Sequence, residues 1–347
     1  MTVTILAVPG IPEVREGDDL AVLIGDALAS SGLRLADGDV LVVSSKVASK
    51  AMGLTAAPTD PDAVVAAESE AVVAERLAGA RLTRVVRARA GPVMAAAGVD
   101  ASNTGGRDVL LLLPHDPDAV CRDLHARLSR RTGVGRLAVV LSDTAGRPWR
   151  VGQTDFALGA HGLLVCEDLR GGGDADGRPL RVTQRAVADE IAAAADLVKG
   201  KTSALPVAVV RGLGDLVPGG GARPPGARSL LREGDEDWFR QGCWEAVRAA
   251  LGVEPGSGLS ARLGIASTAP EEPATRVARA VAVAVHDMPG VGVDVGEQDL
   301  VVTGDDDFTL GVATARPLAA LRGERLTGTV HHRTAAAVTL RLHAHQG

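Results

Sequence analysis

Aromatic side chains are nearly missing from this sequence: they make up 2% of it, and tyrosine is absent altogether. The interior must therefore be filled by aliphatic residues. An excess of positive charge is missing too. Lys and Arg number 37 against 43 Asp and Glu, a net charge of −6, which excludes the broadly basic surface that binding along nucleic acid requires. A local group of arginines remains compatible with a small phosphorylated ligand. Cysteine is scarce: Cys121, Cys166 and Cys243 are far apart and form no CxxC pair. An odd, sparse set of this kind suits a reducing compartment and argues against a disulfide framework or a zinc site. No apolar run nears the roughly 18 residues a membrane span needs. The first residues also lack a basic stretch leading into a long apolar one. A cytoplasmic protein without membrane contact is the expectation.

What is present describes a globular chain, with 46% hydrophobic and 23% charged residues. A length of 347 residues exceeds what one core usually serves, so two domains are expected. Residues 2–8 read as a strand. A helix follows Asp18 and Asp19 with Leu20, Leu23, Ile24 and Leu28 on one face, and a second strand covers Val40–Val43. The stretch 62–79 reads as an amphipathic helix from Asp62 to Gly79. Short apolar runs at 109–113, 136–142 and 162–166 read as buried strands, with Asp176-Gly177 as a hairpin turn. Thr183 is the expected cap of a helix reaching Lys199, before a strand at Val207–Val210. The Gly/Pro-rich stretch from Gly212 to Leu230 is too long for a simple connector and reads as mobile or ligand-binding. A helix at 235–251 is expected to close the first unit. The organisation read this way is a domain over 1–252, a linker over 253–272 and a small α+β segment over 273–347. That segment holds a helix at 274–286 and strands at 299–303, 309–313 and 327–341.

Four stretches carry candidate chemistry. "SSKVASK" (44–50) puts hydroxyls and ammonium groups at a strand end, which suits phosphate oxygens, although a solvated first helical turn reads the same way. "GVDASN" (98–103) offers Asp100 and Asn103 for a hard cation or for an Asx-turn. "SDTAGRPWRVGQTD" (142–155) places Asp143 and Thr144 where a parallel strand would end. There they would suit metal-bound phosphates, with Arg147 and Arg150 for anionic groups; an N-capping Asp with a surface arginine pair is the alternative. "VADEIAAAADLVKGK" (187–201) sets Asp189 and Asp196 on one helix face, the usual pattern of a solvated surface. "DADG" (174–177) reads as a turn. His161, His331, His332, His343 and His345 carry no assigned role.

Taken in order, "GIPEV" (10–14), "SSKVASK", "AAAGVDASN" (95–103), "SDTAGRPWRVGQTD", the 187–201 stretch and "PVAVVRG" (206–212) resemble the GTP-dependent coenzyme F420-0:L-glutamate ligases, or γ-glutamyl ligases. The match looks closest to the ligase half of the actinobacterial bifunctional enzymes. The resemblance implies a mixed α/β (α+β) ligase fold with mixed sheets, and a cytoplasmic homodimer acting on F420-0, L-glutamate and GTP. It implies GTP contacts from Ile11, Pro12, Glu13, Val14, Ser45, Lys50 and Asn103. Two divalent cations, Mg²⁺ or Mn²⁺, would be held by Asp100, Asp143 and Thr144, with K⁺ as a further candidate ion. Asp143, Thr144 and Arg147 would carry the chemistry, an amide ligation through an acyl phosphate. Two positions depart from the family pattern: Val151 replaces a polar residue and Leu54 a basic one. The flavin-binding, nitroreductase-like domain of the actinobacterial relatives has no counterpart in the last 90 or so residues. A related ligase with another acceptor, or a nucleotide- or F420-binding protein with little catalysis, are the competing readings.

Overall fold

The computed structural model describes residues 2–78, 81–219, 221–232, 242–266 and 271–344. The chain divides into two compact units, residues 1–76 with 82–232 and residues 77–81 with 233–347.

Along the chain run β1 (Thr4–Ala7), α1 (Leu20–Ser30), β2 (Asp39–Ser44), α2 (Ser45–Ala51), β3 (Thr55–Ala56), α3 (Pro61–Ala67), β4 (Ser69–Ala78), β5 (Arg81–Ala88) and β6 (Val93–Ala95). Then come β7 (Leu110–Leu111), α4 (Pro117–Thr132), β8 (Leu137–Arg147), β9 (Arg150–His161), β10 (Glu167–Asp168), β11 (Gln184–Arg185), α5 (Val187–Lys199) and β12 (Val207–Arg211). The architecture is mixed α/β. Its centre is a five-stranded sheet in the order β1-β12-β2-β8-β9, in which only β2 and β8 run parallel. Both faces are buried, and the period of two along each strand divides the core. Leu41, Val43, Val139, Leu141, Val207 and Val209 pack toward α1 and α4. Val40, Val42, Ala138, Val140, Ala208 and Val210 pack toward α5.

The α4–β9 contact is unusually close. A Cβ on Gly159 would lie 2.5 Å from the carbonyl carbon and oxygen of Pro117, which only glycine avoids. Gly159→Ala is expected to destabilise the first unit by about 1–3 kcal/mol. A lower urea midpoint at unchanged slope is the expected signature; an unmoved midpoint would contradict so close an approach.

Several local expectations change. The stretch 62–79 is not one helix. Asp60, not Asp62, caps a seven-residue helix by accepting from Ala63 N at 3.0 Å, and the chain then turns at Glu68 into β4. Alanine fits either element, so the helical spacing was uninformative. The β-branched pair Val72-Val73 and an Arg84–Glu75 ion pair at 3.0 Å favour strands. Gly79 lies outside the described residues. No strand forms at 162–166, because β9 already occupies the antiparallel pairing with β8, although Leu163 and Val165 are buried. Thr183 does not cap α5, whose first residue follows Ala186 without a side-chain cap. Asp174 accepts from the backbone N–H groups of Asp176 and Arg178, making "DADG" the expected turn. The Gly/Pro-rich stretch is pinned rather than loose: Asp118 accepts from Ala227 N, and Arg136 donates to the carbonyls of Gly214 and Val217.

The second unit contains α6 (Cys243–Ala250), α7 (Gly258–Leu263), α8 (Pro273–Val285), β13 (Gly292–Val295), β14 (Asp299–Thr303), α9 (Asp307–Gly323), β15 (Leu326–Arg333) and β16 (Ala337–Ala344). Its antiparallel sheet has the order β13-β14-β16-β15 and buries Leu300, Val302 and Leu340 against α8 and α9. The helix expected to close the first unit is seen here as α6, packed on α9. The stretch read as a linker holds α7. Residues 309–313 are helical, because the Asp306 side chain accepts from Thr309 N and Thr309 Oγ1 and so starts α9. Residues 327–341 span most of a hairpin rather than a single strand. Among the described residues, no helix is long and apolar enough to cross a membrane.

Candidate functional site

The parallel pairing of β2 with β8 ends at Ser44 opposite Ser142. Past that point β2 turns into α2, while β8 continues as a hairpin arm with β9. The divergence opens a cavity of about 520 Å³ at the strand ends, where open α/β sheets place ligands. "SSKVASK" forms its wall as α2, with Lys46 and Lys50 lining it. Ser45 is fully buried and donates to Asp143 Oδ1 at 2.9 Å. Lys50 bonds Glu13, whose carboxylate crowds the place a Cβ on Gly105 would take, at 2.5 Å. Gly105 has a φ of +69°, a backbone conformation that favours glycine there.

"GVDASN" takes the Asx-turn reading, with Ser102 N donating to Asp100 Oδ1 at 2.7 Å. The same carboxylate is held by Lys46. Burial works to raise the Asp100 carboxyl, but Lys46 and the Ser102 N–H outweigh it and hold it below its ordinary range. Asn103 lines the cavity with φ +57°, a left-handed conformation that Asn tolerates better than most residues.

The cavity floor comes from β8 and β9. Thr144 Oγ1 donates to Asp155 Oδ1 at 2.7 Å, and Ser142 Oγ donates to Asp155 Oδ2 at 2.9 Å. Lys199, at the end of α5, donates to Ser142 Oγ at 2.6 Å and to Asp155 Oδ2 at 2.8 Å. Both members of this ion pair are 4% exposed at the side chain. Asp143 makes no such ion pair among the described residues: burial pushes its carboxyl up to about 6 against the bonds from Ser45 and Thr144 N and the charge on Lys46, and nearby Asp155 adds to the rise. A bulge in β9 leaves Ala157 N free of the ladder, and Asp189 accepts from it at 2.9 Å, so Asp189 is no solvated surface group.

Ile11, Pro12, Glu13, Val14, Lys50, Asn103, Asp143 and Thr144 thus line one cavity, with Ser45 and Asp100 bonded to its lining residues. Arg147 does not line it. It pairs with Arg150 across the tip of the β8–β9 hairpin, exposed beside Trp149 (84% exposed). Leu54 and Val151, the two departures from the family pattern, are also absent from the lining. His161 meets His125 edge to face at 4.9 Å.

The motif reading gave Lys46, Lys199 and Lys201 no individual role and took Asp196 for part of a solvated helix face, whereas all four line the cavity. A composition signal marked most of them. The chain has 33 arginines and only four lysines, Lys46, Lys50, Lys199 and Lys201, and all four line this cavity. Lys199 also stood on the buried stripe of α5 with Ala188, Ala192 and Ala195, where an unpaired ammonium would be costly.

The oxygen donors fit a hard cation. Asp143 is a buried carboxylate that makes no ion pair among the described residues, Lys46 acting on it only at longer range, and the Thr144 hydroxyl commits its proton to Asp155, leaving lone pairs for a ligand. Among the described residues no three His, Cys, Asp or Glu side chains surround one point. Mg²⁺ needs no such cage, since it commonly takes one or two carboxylates plus substrate phosphates and water.

The F420-0:Gamma-glutamyl ligase family model matches residues 10–212, which include every residue lining the cavity. Three curated relatives are each named Coenzyme F420:L-glutamate ligase. That of Methanothermobacter thermautotrophicus is 38% identical over 258 residues, covering 69% of this chain and 100% of the relative. That of Natronomonas pharaonis is 41% identical over 232 residues, covering 59% and 85%. That of Haloarcula marismortui is 38% identical over 267 residues, covering 70% and 99%. With a cavity assembled from the motifs inside the matched stretch, the chain belongs to the F420-0:gamma-glutamyl ligase family.

Proposed function

We propose that this protein joins L-glutamate to coenzyme F420-0 in F420 biosynthesis, driven by GTP. A carboxylate resists attack by an amine until its oxygen becomes a good leaving group. GTP would transfer its γ-phosphoryl group to the terminal carboxylate of F420-0, giving an acyl phosphate and GDP. The α-amine of L-glutamate then attacks the acyl carbon. The bond from that carbon to the phosphate oxygen breaks, and amide, inorganic phosphate and a proton are the products. Ile11–Val14, Ser45, Lys50 and Asn103 are assigned to GTP. Asp100, Asp143 and Thr144 would hold divalent cations, Mg²⁺ or Mn²⁺, with K⁺ as a further candidate. Bound there, the cations supply charge neutralisation at the transferring phosphoryl group. Arg147, exposed at the hairpin tip, has no place in this scheme. A cytoplasmic homodimer completes the reading.

One observation carries it: residues from four separate segments, each assigned to nucleotide or metal by family resemblance, converge on a single cavity. The alternative of a different acceptor drew on Leu54 and Val151, and neither residue lines the cavity. Phosphate release from GTP that requires both F420-0 and L-glutamate is the expected result of a coupled phosphate assay. Release indifferent to F420-0 would count against the acyl-phosphate route.

A further inference from the structure

The β8–β9 pairing sets Thr144 directly opposite Asp155. Two residues back on β8, Ser142 projects from the same face of the strand, so three polar side chains meet at the cavity floor. Lys199 joins them from the end of α5. The two oxygens of Asp155 are used differently. Oδ2 accepts from Ser142 Oγ at 2.9 Å and from Lys199 Nζ at 2.8 Å. Oδ1 accepts from Thr144 Oγ1 at 2.7 Å. Lys199 Nζ also donates to Ser142 Oγ at 2.6 Å, which closes a triangle of Lys199, Ser142 and Asp155. All three of these residues are buried. The triangle fixes the position and tilt of the carboxylate, and so holds Oδ1 against the Thr144 hydroxyl.

That contact decides what Thr144 offers to the cavity. A hydroxyl has one proton and two lone pairs, and it rotates to suit its surroundings. Aimed into the cavity, the proton would repel a cation; committed to Asp155, it leaves the oxygen lone pairs available. A ligand oxygen works best when a neighbouring group makes this choice before the cation arrives. We propose that Asp155 is a positioning residue for the cation assigned to Thr144: held by Lys199 and Ser142, it takes the hydroxyl proton and leaves the Thr144 oxygen to the metal. What Asp155 supplies is an acceptor in a fixed place, not its charge, which Lys199 offsets. The proposal rests on the cation assignment made above and deepens it.

The test compares two double variants of the full chain, Lys199→Met/Asp155→Asn and Lys199→Met/Asp155→Ala. Both remove the same two charges. They differ in whether the side chain at position 155 can accept the Thr144 proton. Mn²⁺ is the probe, followed by loss of the free-ion electron paramagnetic resonance signal, with and without GTP, against a protein-free GTP blank. Urea unfolding checks that each variant is folded. The asparagine variant is expected to bind Mn²⁺ as tightly as wild type, and the alanine variant about 10–100-fold more weakly, the scale of losing a group that orients a metal ligand. Adding Thr144→Val to the alanine variant is expected to cost nothing further, because the hydroxyl it removes is already misdirected. Equal Mn²⁺ affinity in the two double variants, or a full additional loss on adding Thr144→Val, would overturn the positioning role while leaving the ligase reading intact. If the alanine variant does not fold, Ser142→Ala decides, since it keeps the ion pair and removes one brace on Oδ2: weaker Mn²⁺ binding sustains the proposal and unchanged binding overturns it. The expected Mn²⁺ pattern without ligation by wild type would sustain the positioning role and overturn the ligase reading. A wild-type chain that takes up no Mn²⁺ beyond the GTP blank would overturn the positioning role and the cation assignment together.

Discussion

Replacing Asp143 by Asn is expected to reduce ligation by about two to three orders of magnitude, the scale of removing one group that stabilises charge at the reacting centre, while the protein becomes no less stable. The two halves of this expectation share one cause. Asp143 is buried with a hydroxyl and a backbone N–H for company and, among the described residues, no cation within ion-pair distance, and burial lifts its carboxyl to about 6. Keeping it ionised at neutral pH therefore costs folding free energy, a strain reasonable only where a cation is to be bound. Asparagine keeps an acceptor for Ser45 without that cost. With a chelator present, the stability gain of Asp143→Asn has a defined pH course. The native carboxyl lies above its unfolded value, so its ionisation opposes folding. The gain is full above about pH 6 and fades as pH falls toward the ordinary carboxylate range, where native Asp143 is protonated as well. Thermal melts across pH check this. A variant that is both inactive and markedly less stable at pH 7 would contradict it.

Lys199→Met is expected to be the most destabilising single change in the cavity, by about 3–5 kcal/mol. It leaves Asp155 buried among Ser142 and Thr144 with no counter-charge. Charge neutralisation at the partner should restore much of the loss in the double variant Lys199→Met/Asp155→Asn, because the side-chain amide oxygen introduced there still accepts a hydroxyl proton. The double-mutant cycle is read from urea unfolding of the full chain. Additive losses in the cycle would mean that the ammonium and the carboxylate do not depend on one another.

Much of the site is legible in the sequence because it sits at strand ends marked by abrupt changes of composition. Val40–Val43 running into Ser44-Ser45-Lys46, and Leu137–Leu141 running into Ser142-Asp143-Thr144, announce two buried strands ending in polar groups. Their parallel pairing puts those ends side by side. What composition cannot announce is where such a strand stops. β8 goes on to Arg147 and folds back at Trp149, which carries Arg147 away from the cavity. The sheet β4-β5-β6 hides because its alanines favour the helical reading, and its pairing is a property of three segments together. α9 hides behind Pro317, which lies inside the helix and normally argues for a break. The Lys199–Asp155 pair joins residues 44 apart, and no local spacing predicts it. The rarity of lysine did point there, through composition rather than motif.

The central claim is that this chain forms an amide between F420-0 and L-glutamate at the cavity built by α2, β8 and the end of α5. Its most direct test is the mass of F420-0 after incubation with the purified protein, L-glutamate, GTP and Mg²⁺ or Mn²⁺, run beside Asp143→Asn. The account predicts a gain of one or more glutamyl units with wild type and almost none with the variant. F420-0 left unchanged by a wild-type chain that still binds GTP would contradict it.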